Sequence, residues 1–199
     1  SNAEAFTFCP ELAADSLIVT AGNQVPNVLH RIWECSDIPE KYAFPLETWD
    51  AHSSGLVVLL WTENLRKEYI SKVLGPEKLD LYNRLKPGSY RADLFKYIIM
   101  YHVGGIYSDL DAYLHTDLDT VETLTEGAMM AIDLNPSRLL PGAFLMATPK
   151  QPVFICAMGE VFDHSEQRTY FGSDISGSLD ISGPGVLGEC VRHMLGKDD

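Results

Sequence analysis

Between Ser89 and Asp111 the chain reads as a helix, a glycine pair, a short apolar strand and two carboxylates in direct succession. Ser89 is a natural helix cap, and Leu94, Phe95, Ile98, Ile99 and Tyr101 form the apolar side of a helix from about Tyr90 to Val103. Gly104 suits the left-handed residue that ends such a helix. Ile106 and Tyr107 then lead into Asp109 and Asp111. On an extended backbone the i, i+2 spacing of these acids turns both side chains to one face. Two hard oxygen donors facing one way suit Mg2+ or Mn2+, which take few carboxylates and complete their shell with water and substrate phosphate oxygens.

The rest of the chain alternates in the same manner. Val28–Trp33, after Pro26, reads as a strand. Gly55–Trp61 is a continuous apolar run, the pattern of a parallel strand buried on both faces. Thr62 caps a helix over about 63–74, and Pro76 opens another to about Leu85, ended by Pro87-Gly88. Met129–Leu134 and Ala143–Ala147 are further strands; Gln151–His164 and Gly185–Leu195 are helices, the second introduced by Pro184. The alternation predicts an α/β fold, a mostly parallel sheet flanked by helices. Its acidic pair belongs at the C-terminal edge of the strands, where open α/β sheets bind ligands. One domain over 26–199 is expected, with residues 1–25 an extension that opens on a tag-like Ser1-Asn2-Ala3.

Charge narrows the function. The formal net charge of −13 argues against sequence-independent nucleic-acid binding and against docking on anionic lipid. It also makes a metal the natural bridge to any phosphorylated ligand. No apolar run reaches the roughly 18–20 residues that span a bilayer, so no transmembrane segment is expected. Asn135-Pro136-Ser137 carries the proline that forbids N-glycosylation, and the cytoplasm is the expected compartment. Cys9, Cys35, Cys156 and Cys190 contain no C-x-x-C pair and read as reduced thiols. The histidines lack the H-x-x-x-H spacing of a zinc site. A second D-x-D copy, Asp117-Leu118-Asp119, precedes a helical stretch and reads as helix-entry acids that complement its dipole.

Read alone, the remaining candidates are two-sided. Asp93 suits a first-turn helix acid. Trp33 and Trp61 at strand ends suit the rim of a core. Arg91 either neutralises the acidic cluster or pairs on the surface.

The run Arg91-Ala92-Asp93-Leu94-Phe95-Lys96-Tyr97, then Tyr101, then Gly104-Gly105-Ile106-Tyr107-Ser108-Asp109-Leu110-Asp111 resembles the signature of the DXD-containing glycosyltransferases of family 32. These are relatives of yeast initiating mannosyltransferases and distantly similar to the clostridial glucosylating toxins. Pro26–Trp33 resembles the family's first strand, Leu59-Leu60-Trp61 its second, and Ser182-Gly183-Pro184-Gly185 its late Gly-Pro turn. The resemblance implies a GT-A-like, Rossmann-type fold, Mn2+ or Mg2+, and retaining transfer from a nucleoside-diphosphate sugar (UDP- or GDP-sugar) to a glycan, lipid or protein acceptor. By position it implies that Asp111 binds the metal directly and that Asp109 contacts ribose or reaches the metal through water. Asp93 would hold hydroxyls of the donor sugar, Trp33 would lie against the base, and Gly105 and Tyr107 would line the cleft. Lys96 or Arg91 would assist the metal at the diphosphate, and Lys96 shares the helix face of Asp93 at i, i+3. Lys96 stands where relatives have arginine, and Gly142 where asparagine is common. Relatives also continue past the equivalent of Asp199 into a segment that closes over the diphosphate, so a C-terminally truncated core is expected. Two other readings use the same residues. One is a degenerate domain that binds a nucleotide or a protein without turnover. The other is a metal-dependent phosphoesterase or a glycosidase, although a glycosidase needs carboxyls on opposite sides of the bond.

Overall fold

The computed structural model describes residues 25–53, 55–118, 127–130, 142–168 and 179–197. One five-stranded sheet holds β1 (Val28–Ile32), β2 (Val57–Trp61), β3 (Gly105–Ser108), β4 (Ala128–Met130) and β5 (Phe144–Ala147) in the order β2-β1-β3-β5-β4. β1 pairs in parallel with β2 and β3, while β5 runs antiparallel to β3 and β4. Four strands therefore share one direction and β5 opposes them. The helices are α1 (Ala43–His52), α2 (Glu63–Leu74), α3 (Pro76–Arg84), α4 (Gly88–His102), α5 (Pro152–Gln167) and α6 (Pro184–Met194). The expected α/β architecture is the observed one.

Strand alternation divides the core between the two sheet faces. Tyr107 and its partner Leu145 join a large cluster with residues of α2 through α6. Ile106 and its partner Met146 point the other way, into a smaller cluster with Leu29, Trp49 of α1 and Leu114. The glycine pair makes the turn from α4 into β3. Gly104 has φ +69° and Gly105 φ +95°, and a Cβ on either would come within 2.7 Å of backbone atoms of Ala147, Pro149 or Val28. Beside this turn, buried His30 donates through Nε2 to Gly104 O (2.9 Å) and accepts at Nδ1 from Trp61 Nε1 (3.0 Å). Burial lowers its pKa to about 4, so it sits there neutral.

Several expectations need correction. β2 is an edge strand, paired only with β1, and Val57 is 47% exposed, so the run is not buried on both faces. α4 begins at Gly88, with Pro87 before it and no side-chain cap, so Ser89 lies inside the first turn. Leu94 through Met100 are all buried while Tyr101 is only half-buried; this helix is enclosed on more than one face. α1 was not anticipated, because its buried residues Pro45, Leu46 and Trp49 are too few to show a period. Cys156 and Cys190 form a disulfide between α5 and α6, with Cα atoms 5.9 Å apart. These two cysteines are thus not reduced thiols; packing of the two helices joins them across a separation of 34 residues, which no local spacing marks. Cys35 is free and exposed, and Cys9 lies outside the described residues. The strand expected over Met129–Leu134 appears at Ala128–Met130, the remainder lying outside the described residues.

Candidate functional site

The C-terminal ends of β1, β2 and β3 meet along one edge of the sheet, as the parallel pairing requires. Trp33 follows β1, Thr62 and α2 follow β2, and the acidic pair follows β3. A cleft of about 340 Å³ opens there. Trp33, Glu34 and Tyr42 form one part of its lining, Tyr107, Asp109 and Asp111 another. Arg66 of α2 and the first turn of α4 at Gly88, Ser89 and Ala92 complete it. The Trp33 and Tyr42 rings meet edge to face with centroids 5.2 Å apart.

The acidic turn is held from beneath. Asp109 N–H donates to Ala143 O (2.9 Å), and Asp109 O accepts from Arg31 Nη1 (2.6 Å) and from Ala112 N–H (3.2 Å). Trp49 Nε1 donates to Ala112 O (2.9 Å), and the Arg31 guanidinium lies over the Trp49 ring, 4.7 Å from its centroid. Burial lowers the Arg31 pKa to about 10, which leaves it charged; nearby Tyr107, Asp109 and Asp50 act in the opposite sense. Tyr107 OH donates to Asp109 Oδ1 at 2.5 Å. Burial first, then the Asp109 charge, pushes the Tyr107 hydroxyl well up, so it remains a donor. Asp111 is exposed, and its carboxylate has no partner among the described residues.

This donor set suits a hard cation. One Asp109 oxygen is occupied by Tyr107 and the other remains available, as do both oxygens of Asp111. Among the described residues no group of three or more His, Cys, Asp and Glu side chains gathers to form a closed protein shell. Two carboxylates match Mg2+ or Mn2+, whose other positions go to water and phosphate, and not a structural zinc.

Trp33, Tyr107, Asp109 and Asp111, singled out from sequence, come together in the cleft. The other candidates stand elsewhere. Lys96 is a buried residue, its side chain 5% exposed, with Nζ on Asp93 Oδ1 (3.0 Å) and 5.1 Å from the Tyr107 ring centroid. Ser182 Oγ donates to the second Asp93 oxygen (3.1 Å), so the late Gly-Pro turn reaches this pair. Burial pushes the Asp93 carboxyl up, while Lys96 and Ser182 pull it back. A Cβ at Gly142 would sit 2.5 Å from Lys96 Nζ, so the lysine head fills the space a side chain there would need. Arg91 is committed behind the cleft. Its Nε lies 3.0 Å from Glu63 Oε1, and its Nη1 donates to Leu85 O and Lys86 O, both at 2.8 Å. Gly105 packs against Val28 rather than walling the cleft. Asp117 pairs with His52 Nδ1 (2.7 Å), and Asp119 lies outside the described residues.

Glu34, Tyr42 and Arg66 were missed. Glu34 was findable, because it follows Trp33 at the end of a strand whose C-terminal edge is where ligands bind. Tyr42 belongs to the irregular segment ahead of α1. Arg66 shares the buried face of α2 with Tyr69 and Ile70 at i+3 and i+4, and reads from sequence as an exposed helix cation.

The fold is GT-A-like, and the acidic turn at its strand ends is similar to that of DXD-motif glycosyltransferases. Residues 39–127 match the family model described as the glycosyltransferase sugar-binding region containing the DXD motif, so the family resemblance read from the sequence is borne out. Similar proteins include inositol phosphoceramide mannosyltransferase 3 of Schizosaccharomyces pombe, 32% identical over 95 residues, 48% of this chain and 26% of that protein. The mannosyl phosphorylinositol ceramide synthase SUR1 of Saccharomyces cerevisiae is 28% identical over 135 residues, 67% of this chain and 34% of that protein. The chain thus spans only about a quarter to a third of the length of these two relatives. Among solved structures, PaToxG glycosyltransferase superposes with a TM-score of 0.68 at 15% identity, covering 87% of this chain and 71% of that one, which supports the fold.

Proposed function

We propose that this chain is the catalytic core of a metal-dependent retaining glycosyltransferase that moves a sugar from a nucleoside-diphosphate sugar to an acceptor. The observation that carries this reading is the cleft at the strand ends, with aromatic Trp33 on one part of its wall and the braced pair Asp109 and Asp111 on another. Its volume suits a ligand of nucleotide size. Asp111 and the free oxygen of Asp109 would hold Mn2+ or Mg2+, which supplies Lewis-acid stabilisation of the charge on a departing diphosphate. Tyr107 fixes the Asp109 carboxylate by its hydrogen bond. Trp33 offers a ring face to a base; Asp93 does not line this cleft and is held by Lys96 and Ser182, so a part in donor-sugar binding would use the second acceptor position left on each of its oxygens. The acids that share one turn do not bracket a glycosidic bond, which disfavours a glycosidase. The relatives' names point to mannose as the sugar and to an inositol phospholipid as the acceptor class.

Thermal unfolding with and without Mn2+, across UDP- and GDP-sugars, tests the reading. A ligand at 100 times its Kd stabilises the fold by about 2.7 kcal/mol. Asp111→Asn abolishes the metal-dependent shift, whereas Asp117→Asn, which alters a surface pair with His52, leaves it intact. Equal losses from the two variants overturn the assignment. Metal-dependent nucleotide binding with no donor hydrolysis or transfer would favour the degenerate, non-catalytic domain.

A further inference from the structure

We propose that an exposed aromatic strip outside the cleft, Phe44 and Tyr113 with His115, seats a ring polyol, a hexose or an inositol, as the acceptor; the acceptor role rests on the transferase reading above. The strip grows out of the cleft lining at two points. Tyr42 lines the cleft and Phe44 follows it by two residues; Asp111 lines the cleft and Tyr113 follows it by two residues. Two residues of chain span at most about 7 Å, so a ring on the strip lies beside the acidic turn. The Phe44 and Tyr113 rings meet with centroids 5.7 Å apart, and Tyr113 stacks on the His115 ring with centroids 6.0 Å apart and planes 3° from parallel.

The backbone displays these rings. After the acidic turn Tyr113 and His115 are exposed, whereas Ala112 is half-buried and Leu114 buried. On extended chain that alternation sends 113 and 115 outward together. The inward residues are pinned to α1: Trp49 Nε1 donates to Ala112 O (2.9 Å), and Leu114 N–H donates to Thr48 Oγ1 (3.0 Å). The same helix contributes Phe44. Phe44 is 64% exposed and Tyr113 49%. Large exposed side chains in mutual contact mark a binding surface, unlike apolar residues scattered singly. Because the strip is fixed before a ligand arrives, little ordering is required on binding.

The groups around the rings select the occupant. Glu47 stands one turn after Phe44 on α1 and Asp50 one turn after Glu47, and both are exposed. Carboxylates accept hydrogen bonds and do not donate them. A ring polyol answers both features: its C–H face meets the negative face of an aromatic ring, and its hydroxyls donate to the acids. An anionic ligand is repelled by these acids in a chain of net charge −13, so a phosphodiester carried by the polyol must point away from α1. An acyl chain would cover the rings but desolvate the acids without pairing them. An alkylammonium would suit both rings and acids, and is the competing occupant. The position beside the acidic turn favours the polyol.

Saturation-transfer NMR on the full chain with methyl α-mannoside, myo-inositol and choline tests this, alongside calorimetric titration of GDP and UDP at fixed Mn2+. The variants are the double change Phe44→Ala with Tyr113→Ala, and Tyr113→Trp; both positions are exposed, so both variants are expected to fold and melt as the wild type does. Saturation is expected to reach the C–H protons of one or both polyols, to be lost in the double variant and to be kept in Tyr113→Trp, with nucleotide affinity the same in all three proteins. Which polyol responds separates a sugar acceptor from an inositol one. Transfer to neither polyol, or equal transfer in the double variant, overturns the strip and leaves the nucleotide-sugar reading standing. Transfer to choline alone overturns the polyol assignment. Polyol transfer in a chain that binds neither nucleotide overturns the transferase reading and, with it, the acceptor role of the strip.

Discussion

Lys96, singled out from sequence as the cation for a diphosphate, is engaged otherwise in the fold. It shares a helix face with Asp93, as the i, i+3 spacing requires. The functional alternative put its amine on the diphosphate, yet the amine is buried on Asp93 and over Tyr107. It holds one Asp93 oxygen and pulls the carboxyl down against the burial that pushes it up. Removing one member of a fully buried ion pair costs about 3–5 kcal/mol. The Asp93 side chain is 22% exposed, so solvent screening reduces the expected loss for Lys96→Met to about 2 kcal/mol. Urea unfolding of wild type and variant measures it. Unchanged stability combined with weaker nucleotide binding would return the amine to the ligand. Lys96→Arg keeps the charge but must find room beside Gly142, where the lysine head already fills the space. The departures at 96 and 142, noted separately in the sequence, are thus one packing arrangement.

At the scale of elements, the segment from α4 to the acidic turn was legible because its signals are local: a helix stop, a glycine pair with two positive φ angles, a strand, two acids. What supports that turn was not legible. Arg31 reaches it from β1 and Trp49 from α1, across 78 and 63 residues of sequence. Neither contact leaves a spacing to read, and α1 itself carries too few apolar residues to be seen. Arg66 escaped for a related reason: whether it lines the cleft depends on which strand ends become neighbours. The brace makes a specific claim about metal binding. Trp49→Phe keeps an aromatic ring in the smaller core cluster and under Arg31 but deletes the bond to Ala112 O. Such a bond contributes about 1 kcal/mol, so Mn2+ affinity is expected to fall about fivefold while the melting temperature drops by a few degrees. Mn2+ titration followed by electron paramagnetic resonance measures the affinity directly. Full affinity in Trp49→Phe would mean the turn holds its shape without α1.

Across the whole molecule, the Cys156–Cys190 bond links two helices, one of which opens beside Asp93. It joins α6 to α5. The turn that opens α6 is attached to α4 through Tyr97 OH on Gly183 O (3.0 Å) and through Ser182 on Asp93. Closing a loop of this separation removes denatured-state freedom equivalent to about 3–4 kcal/mol. The cysteine spacing favoured thiols, whereas disulfides generally form and persist in oxidising compartments. Among the described residues no helix is long and apolar enough to cross a membrane. We expect alkylation without reductant to label Cys35 and leave Cys156 and Cys190 joined, as read by peptide mass spectrometry. Reduction should lower the melting temperature, and the double variant Cys156→Ala with Cys190→Ala should reproduce that loss and be insensitive to reductant. Because Ser182 lies just ahead of α6 and bonds Asp93, under the proposed function loosening the bond should also weaken donor-sugar binding more than binding of the nucleoside diphosphate alone. Full labelling of both cysteines in the native chain, with no change in stability on adding reductant, would remove the bond.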